Sequence, residues 1–343
     1  GAYADGKVGI GAAVTTKLNI TGGTITAKGG AFNTYAANSG IITLNGATLN
    51  TEPKSLAFYT TDNGKIDFGT GTTKTTANIK GGTDSNSRGT AFLYKGTGAS
   101  YSKFDSKEIS KWAAANFAHL NNLKLVMETG SRLFIAQNVA MDLSNTNPGN
   151  LLSGLPTGLV TGSNDYKTFM LYLSKLTINQ AVDLNDPNSA YAQLEIANSS
   201  IDNASTMTGS NNRQVAIAQE NGNDTAGNGY DASEVTLTNT TSGVINLTGD
   251  ESTGIYAKRG LIINDGQISV GKKSTGIYIV EDDRSPATAT LGAKATNSST
   301  GVISIGEDST GMYYKVEPDN TDGRGTNTAV PGGLANAGKI EST

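Results

Sequence analysis

One stretch of this chain occurs three times. Thr241-Ser242-Gly243-Val244-Ile245-Asn246-Leu247-Thr248-Gly249-Asp250-Glu251-Ser252-Thr253-Gly254-Ile255-Tyr256-Ala257-Lys258 returns as residues 299–315, Ser-Thr-Gly-Val-Ile-Ser-Ile-Gly-Glu-Asp-Ser-Thr-Gly-Met-Tyr-Tyr-Lys. Between them, Gly266-Gln267-Ile268-Ser269-Val270-Gly271 leads to Ser274-Thr275-Gly276-Ile277-Tyr278. The Ser-Thr-Gly glycines stand at 254, 276 and 311, 22 and 35 residues apart. The second interval is longer by 13, and the excess falls on the polar stretch around Asp282 to Thr296, which reads as a loop inserted into one turn of a repeat. A period with loop-length exceptions is the mark of a solenoid.

Weaker copies open the chain. Gly22-Gly23-Thr24-Ile25-Thr26-Ala27 leads to Phe32-Asn33-Thr34-Tyr35, and Ile41-Ile42-Thr43-Leu44-Asn45 leads to Ser55-Leu56-Ala57-Phe58-Tyr59. Each unit reads as a glycine, a short alternating strand, a turn, then small residues before an apolar residue and a tyrosine. A unit of about 22 residues cannot enclose a core alone, but stacked coils about 4.8 Å apart can share one. Ile245, Ile268 and Ile303 then stack facing inward with Ser269 and Ser304 outward, and the glycine before each strand marks a corner with no room for a Cβ. About a dozen such coils would make a rod on the order of 60 Å long.

Composition agrees. Charged residues are 16% of the chain, and Thr, Ser, Asn and 43 Gly fill the space; these are poor helix formers, so a helical bundle is excluded. Disorder is excluded by the recurrent Val, Ile, Leu and Tyr bursts between Gly/Asn/Asp turns. With no cysteine, disulfide, thiolate-metal and Cys-nucleophile chemistry are ruled out. A net charge of -4 argues against a nucleic-acid surface. No apolar run is long enough to span a membrane as a helix.

The expected fold is all-β, a right-handed parallel β-helix (β-solenoid) with a helix and loop insertions in the middle. One continuous solenoid is expected over 1–343: regular coils over 1–100, irregular coils over 101–240, regular coils again over 241–343. Ile109, Trp112, Ala113, Phe117 and Leu120 lie at helical spacing and Asp105 with Glu108 matches a capping box, so a helix is expected over 105–120. A long loop is expected over 144–165, where Pro148 and Pro156 favour turns. The final Gly338-Lys339-Ile340-Glu341 resembles the opening of another coil, so the chain reads as a slice of a longer solenoid.

The Ser-Thr-Gly-Ile-Tyr unit coupled to a Gly-x-Ile-x-Val/Ile strand resembles the passenger region of large bacterial type V autotransporters, most closely the giant fusobacterial outer-membrane coaggregation adhesins. The resemblance is clear over 241–343, fair over 1–100 and vague between. It implies an extracellular β-helical passenger at the surface of a Gram-negative bacterium, anchored in the outer membrane by a C-terminal β-barrel absent from this chain. It also implies attachment to a protein or glycan of another microbe or host cell.

The residues suggest little reaction chemistry. His119, the only histidine, lies near no nucleophile-elbow pattern and reads as a surface residue at the helix C-terminus, where a cation suits the dipole. Glu281-Asp282-Asp283-Arg284 and Glu307-Asp308 could supply acid and base to a glycan hydrolase or lyase, the alternative function, but solvated turn charges are the favoured reading. The oxygen-rich stretch 221–231 lacks calcium-loop spacing and reads as a loop. Tyr256, Tyr278 and Tyr313 form a ladder suited to core or corner packing, with sugar binding as the other reading. No cofactor, metal or catalytic residue is assigned. The expected function is a non-enzymatic adhesin segment, with partner contacts from the insertions: Lys107 and Lys111 on the exposed helix face, and Arg284 in the late loop.

Overall fold

A computed structural model describes residues 1–6, 15–97, 100–143, 148–220, 235–282, 293–317 and 332–343. They form two compact units, Gly1–Val139 with Thr146–Met170 and Gln193–Glu195, and Ala140–Asn145 with Leu171–Ala192 and Ile196–Thr343. Each unit is a parallel β-helix whose coils visit three sheets in turn.

In the first unit the strands Ala2–Asp5, Phe32–Ala37, Leu56–Thr60, Thr90–Lys95 and Arg132–Gln137 pair in parallel along one sheet. Lys17–Thr21, Ile41–Asn45 and Lys65–Asp67 build the second sheet, and Thr24–Ala27, Thr48–Thr51, Thr75–Ile79 and Leu123–Met127 the third. Alternation decides what lies inside: Ile42, Leu44, Leu49, Ile66 and Ile79 are fully buried. The first sheet also points a column of phenylalanines inward. Phe58, Phe92, Phe134 and Phe169 stack with ring centroids 5.4, 5.3 and 5.4 Å apart and planes within 28° of one another.

The helix over this column, α1, spans Ser106–Asn116, with Asp105 at its N-cap accepting from the backbone N–H of Lys107 and Glu108 at 2.9 and 3.0 Å. The capping box is half made, because the Glu108 carboxylate pairs with Lys111 at 2.8 Å. The helix is shorter than the 105–120 expected. Phe117 leaves helical geometry (φ -128, ψ 137) and pairs with Ile66, so Phe117–Ala118 is a strand of the second sheet. Its apolar spacing signals burial from a strand. Ile109 and Ala113 are buried, and half-buried Trp112 meets Phe92 edge-on at 5.8 Å. The stretch expected as a loop over 144–165 contains, from 148 onward, a single helical turn at Pro148–Leu151, a 3-10 turn at Leu152–Gly154 and a strand, Val160–Gly162, paired with Leu125–Met127. Leu151, Leu155 and Leu159 bury themselves, which gives the segment its order.

The second unit shows why its motif repeats. Ile245, Ile268 and Ile303 are fully buried and stand in register on successive coils, as expected, with half-buried Ser269 and Ser304 between them. In Ser-Thr-Gly, the serine hydroxyl serves the neighbouring coil: Ser274 Oγ accepts from the backbone N–H of Ser252, and Ser309 Oγ from that of Ser274, each at 2.9 Å. The glycine is required by close approach. A Cβ on Gly254 would lie 2.5 Å from the Gly276 carbonyl oxygen and 2.7 Å from Ile268 Cγ2. At the facing corner a buried asparagine ladder runs Asn203, Asn239, Asn264, Asn297, each Nδ2 donating to the next Oδ1 at 2.8–2.9 Å. A Cβ on Gly266, beside this ladder, would meet the Gly243 and Thr240 carbonyl oxygens at 2.3 Å. The late insertion is also narrower than the sequence suggests: strand Thr275–Asp282 extends to its start and strand Lys294–Asn297 takes its end.

Candidate functional site

Three kinds of side chain could meet a partner or a reaction: the outer tyrosines, the helix with its companion turns, and the clustered charges. The tyrosines are the most ordered. In the second unit the strands Thr253–Lys258 and Thr275–Asp282 each bury a glycine and an isoleucine consecutively, Gly254-Ile255 and Gly276-Ile277, which turns the following tyrosine outward. Tyr256, Tyr278 and Tyr313 therefore form an outer column in register, with ring centroids 5.5 and 5.1 Å apart. Tyr313 is 47% exposed. This corrects the core half of the expected core or corner packing: Ile255 and Ile277 occupy the core positions. The first unit carries a second outer column, Tyr3, Tyr35 and Tyr59, which the sequence reading did not single out. Its coils lack the Ser-Thr-Gly signature, so only the recurrence of Tyr35 and Tyr59 24 residues apart could have revealed it.

Lys107 and Lys111 are both exposed on α1, as the buried Ile109 and Ala113 require. Lys111 is drawn onto Glu108, and Lys103 onto Asp105 at 2.7 Å, so the helix surface is a mixed patch of both signs. The 3-10 turn touches the same helix: a Cβ on Gly154 would lie 2.4 Å from the Ser106 carbonyl oxygen. Helix and turn thus share one surface. Arg284 lies outside the described residues, as does the oxygen-rich stretch 221–231.

His119 is displaced from the expected helix terminus. It sits in left-handed geometry (φ 52) after the strand, and its Nδ1 lies 2.7 Å from Asp67 Oδ1, which also accepts from the Gly69 N–H. The carboxylate candidates separate. Glu307 is 69% exposed and pairs with Lys272 at 2.8 Å, in keeping with a solvated turn charge. Glu281 is buried instead, its Oε2 accepting from the backbone N–H of Ala293, which corrects the reading of this residue as a solvated charge. Burial raises the phenol pKa of Tyr314, and the Glu281 charge adds to the rise.

One cluster had no sequence signal. Glu195 receives Arg88 Nε at 2.6 Å and Arg132 Nε at 2.7 Å, with Arg132 Nη2 on the same carboxylate. The spare donors are used as well: Arg88 Nη1 reaches the Gly130 carbonyl at 2.6 Å and Arg132 Nη2 the Ser85 carbonyl at 2.7 Å. Burial pulls Arg132 below its ordinary pKa, and Glu195 opposes that shift. The partners lie 107 and 63 positions apart in sequence, so only the stacking of coils brings them together. A buried and a half-buried arginine on one carboxylate, tied to backbone carbonyls, fasten the turn at 82–88 rather than present a free charge. Among the described residues no group of three or more His, Cys, Asp or Glu side chains could hold a metal ion, and no helix is long and apolar enough to cross a membrane.

Residues 158–319, just under half of the chain, match the family model of the BigA third pectate lyase-like domain. No curated protein and no solved structure matches. Pectate lyase-like domains are right-handed parallel β-helices, and this chain has that fold. BigA is a bacterial surface protein, and the likeness supports a surface β-helix protein here. "Pectate lyase-like" designates the fold.

Proposed function

We propose that this chain is a non-enzymatic adhesive segment of a bacterial surface protein, attaching its cell to a protein or glycan on another microbe or a host cell. One observation carries the reading: outer tyrosines repeat in register from coil to coil, Tyr256, Tyr278 and Tyr313 in one unit and Tyr3, Tyr35 and Tyr59 in the other. Tyrosine gives a large, stiff contact surface at low entropic cost, with a hydroxyl for orientation. A β-helix holds such rings on a backing that neighbouring coils keep fixed. Coaggregation, type V secretion and an outer-membrane anchor belong to this proposal through the resemblance to autotransporter passengers. The surface shared by α1 and the 152–154 turn, with Lys107 and Lys111, is proposed as a second contact, and Arg284 as a third.

The test incubates fluorescently labelled chain with intact bacteria of several genera and with epithelial cells, read by flow cytometry. Saturable attachment to at least one cell type is expected, with neutral and uronate polysaccharides left at their original chain length. Absence of attachment to every cell type would overturn the adhesive reading. Steady release of new sugar ends would establish the enzymatic one.

A further inference from the structure

The outer column of the first unit differs chemically from that of the second. Tyr3, Tyr35 and Tyr59 stack with centroids 5.1 and 4.8 Å apart and planes 30° and 19° from parallel. Phe32 lies 5.4 Å from Tyr59 and 5.9 Å from Tyr35, which widens the column into a strip. Tyr3 and Phe32 are 55% and 39% exposed, although the inner side of this sheet is packed with phenylalanine. A contiguous aromatic strip left in water marks an interaction surface.

Its polar margin is equally specific. The Tyr3 hydroxyl donates to Asp5 Oδ2 at 2.7 Å, Asn38 Nδ2 donates to Asp5 Oδ1 at 2.8 Å, and the Tyr35 and Thr61 hydroxyls are 3.2 Å apart. A carboxylate, an amide and several hydroxyls therefore line one edge of the rings. The three strands that carry the strip, Ala2–Asp5, Phe32–Ala37 and Leu56–Thr60, contain neither Lys nor Arg. Their only charge is Asp5. An anionic ligand such as a uronate or sialylated glycan, a nucleic acid or an acidic lipid would meet no cationic side chain on these strands. In the second unit, by contrast, Lys258 and Lys315 stand two residues beyond Tyr256 and Tyr313.

We infer that this strip binds a neutral oligosaccharide. Pyranose rings present an apolar C–H face that packs on an aromatic ring and a rim of hydroxyls that pairs with carboxylate and amide groups. The strip offers both, side by side, across three coils. This rests on the adhesive reading above and names its partner as a neutral glycan at Tyr3, Phe32, Tyr35 and Tyr59.

The test applies the chain to an array of neutral hexose and N-acetylhexosamine oligosaccharides printed beside sialylated and uronate-containing ones. Binding to neutral features is expected, insensitive to added salt and weakened at least about tenfold in Tyr3→Ala/Tyr59→Ala. Tyr101→Ala, at an exposed tyrosine outside both columns, should bind the array as the parent does. Circular dichroism checks the fold of each variant, and Tyr3→Ala alone, at the most exposed ring, serves if the double variant unfolds. Dark neutral features, signal confined to the anionic glycans, or unaltered binding by the Tyr3 variants would each overturn the inference. On cells, periodate oxidation of the target surface should abolish attachment. Attachment that survives periodate but not protease leaves the adhesive reading in place and removes the saccharide.

Discussion

Asp105 shows how one residue fixes a local element and how pH reaches it. Its carboxylate caps α1, and its pKa is lowered chiefly by the hydrogen bond from the Lys103 ammonium and further by the Glu108 and Lys107 N–H groups, with burial opposing. A carboxyl with a lowered folded pKa stabilises above its unfolded value, about 3.9, and loses that contribution as pH falls through the folded value. Asp105→Ala should therefore cost about 1 kcal/mol at neutral pH. Trp112, the only tryptophan, lies on the helix, so its fluorescence in a urea titration reports the loss. The gap between variant and parent should narrow as pH falls below the carboxyl's unfolded value; a gap that stays constant on acidification would show that the carboxylate charge does not stabilise the cap. At this scale the sequence was readable where a side chain acts on its neighbours, as Asp105 does. It was silent on Arg88, Arg132 and Glu195, whose encounter depends on which coil stacks on which.

Among elements, strands were legible from alternation and the helix from its period, but phase was not. Gly254 and Ile255 are buried consecutively, and this single break turns Tyr256 out where strict alternation from Gly254 would have turned Ile255 out and Tyr256 in. Phe117 fits a helical spacing and lies in a strand because Ile66 offers it a parallel partner. The helix covers the phenylalanine column through Trp112 and leaves its lysines in water. Replacing Lys107 and Lys111 together with Glu removes one exposed ion pair, whose attraction solvent screens. The unfolding midpoint should barely move, while attachment to target cells should fall. Unchanged attachment would restrict the helix to its covering role.

For the molecule as a whole, register decides the structure: identical positions of successive coils must stand side by side, or neither the isoleucine core nor the outer tyrosine columns exist. Repetition made this legible, since residues 241–258 and 299–315 can be aligned by eye and their partners in the structure are the aligned ones. The absence of cysteine allows a direct measurement. Asn246, Ser269 and Ser304 form one column on three consecutive coils. Neighbouring strands lie about 4.8 Å apart, within the roughly 4.4–6.8 Å Cα separation a disulfide spans, whereas two coils apart is roughly 10 Å. The measurement oxidises two double variants, Ser269→Cys/Ser304→Cys and Asn246→Cys/Ser304→Cys, and counts free thiols. With the coils stacked in register the first pair closes fully and the second stays reduced; an open first pair, or equal closure of both, would rule out the stacked parallel register.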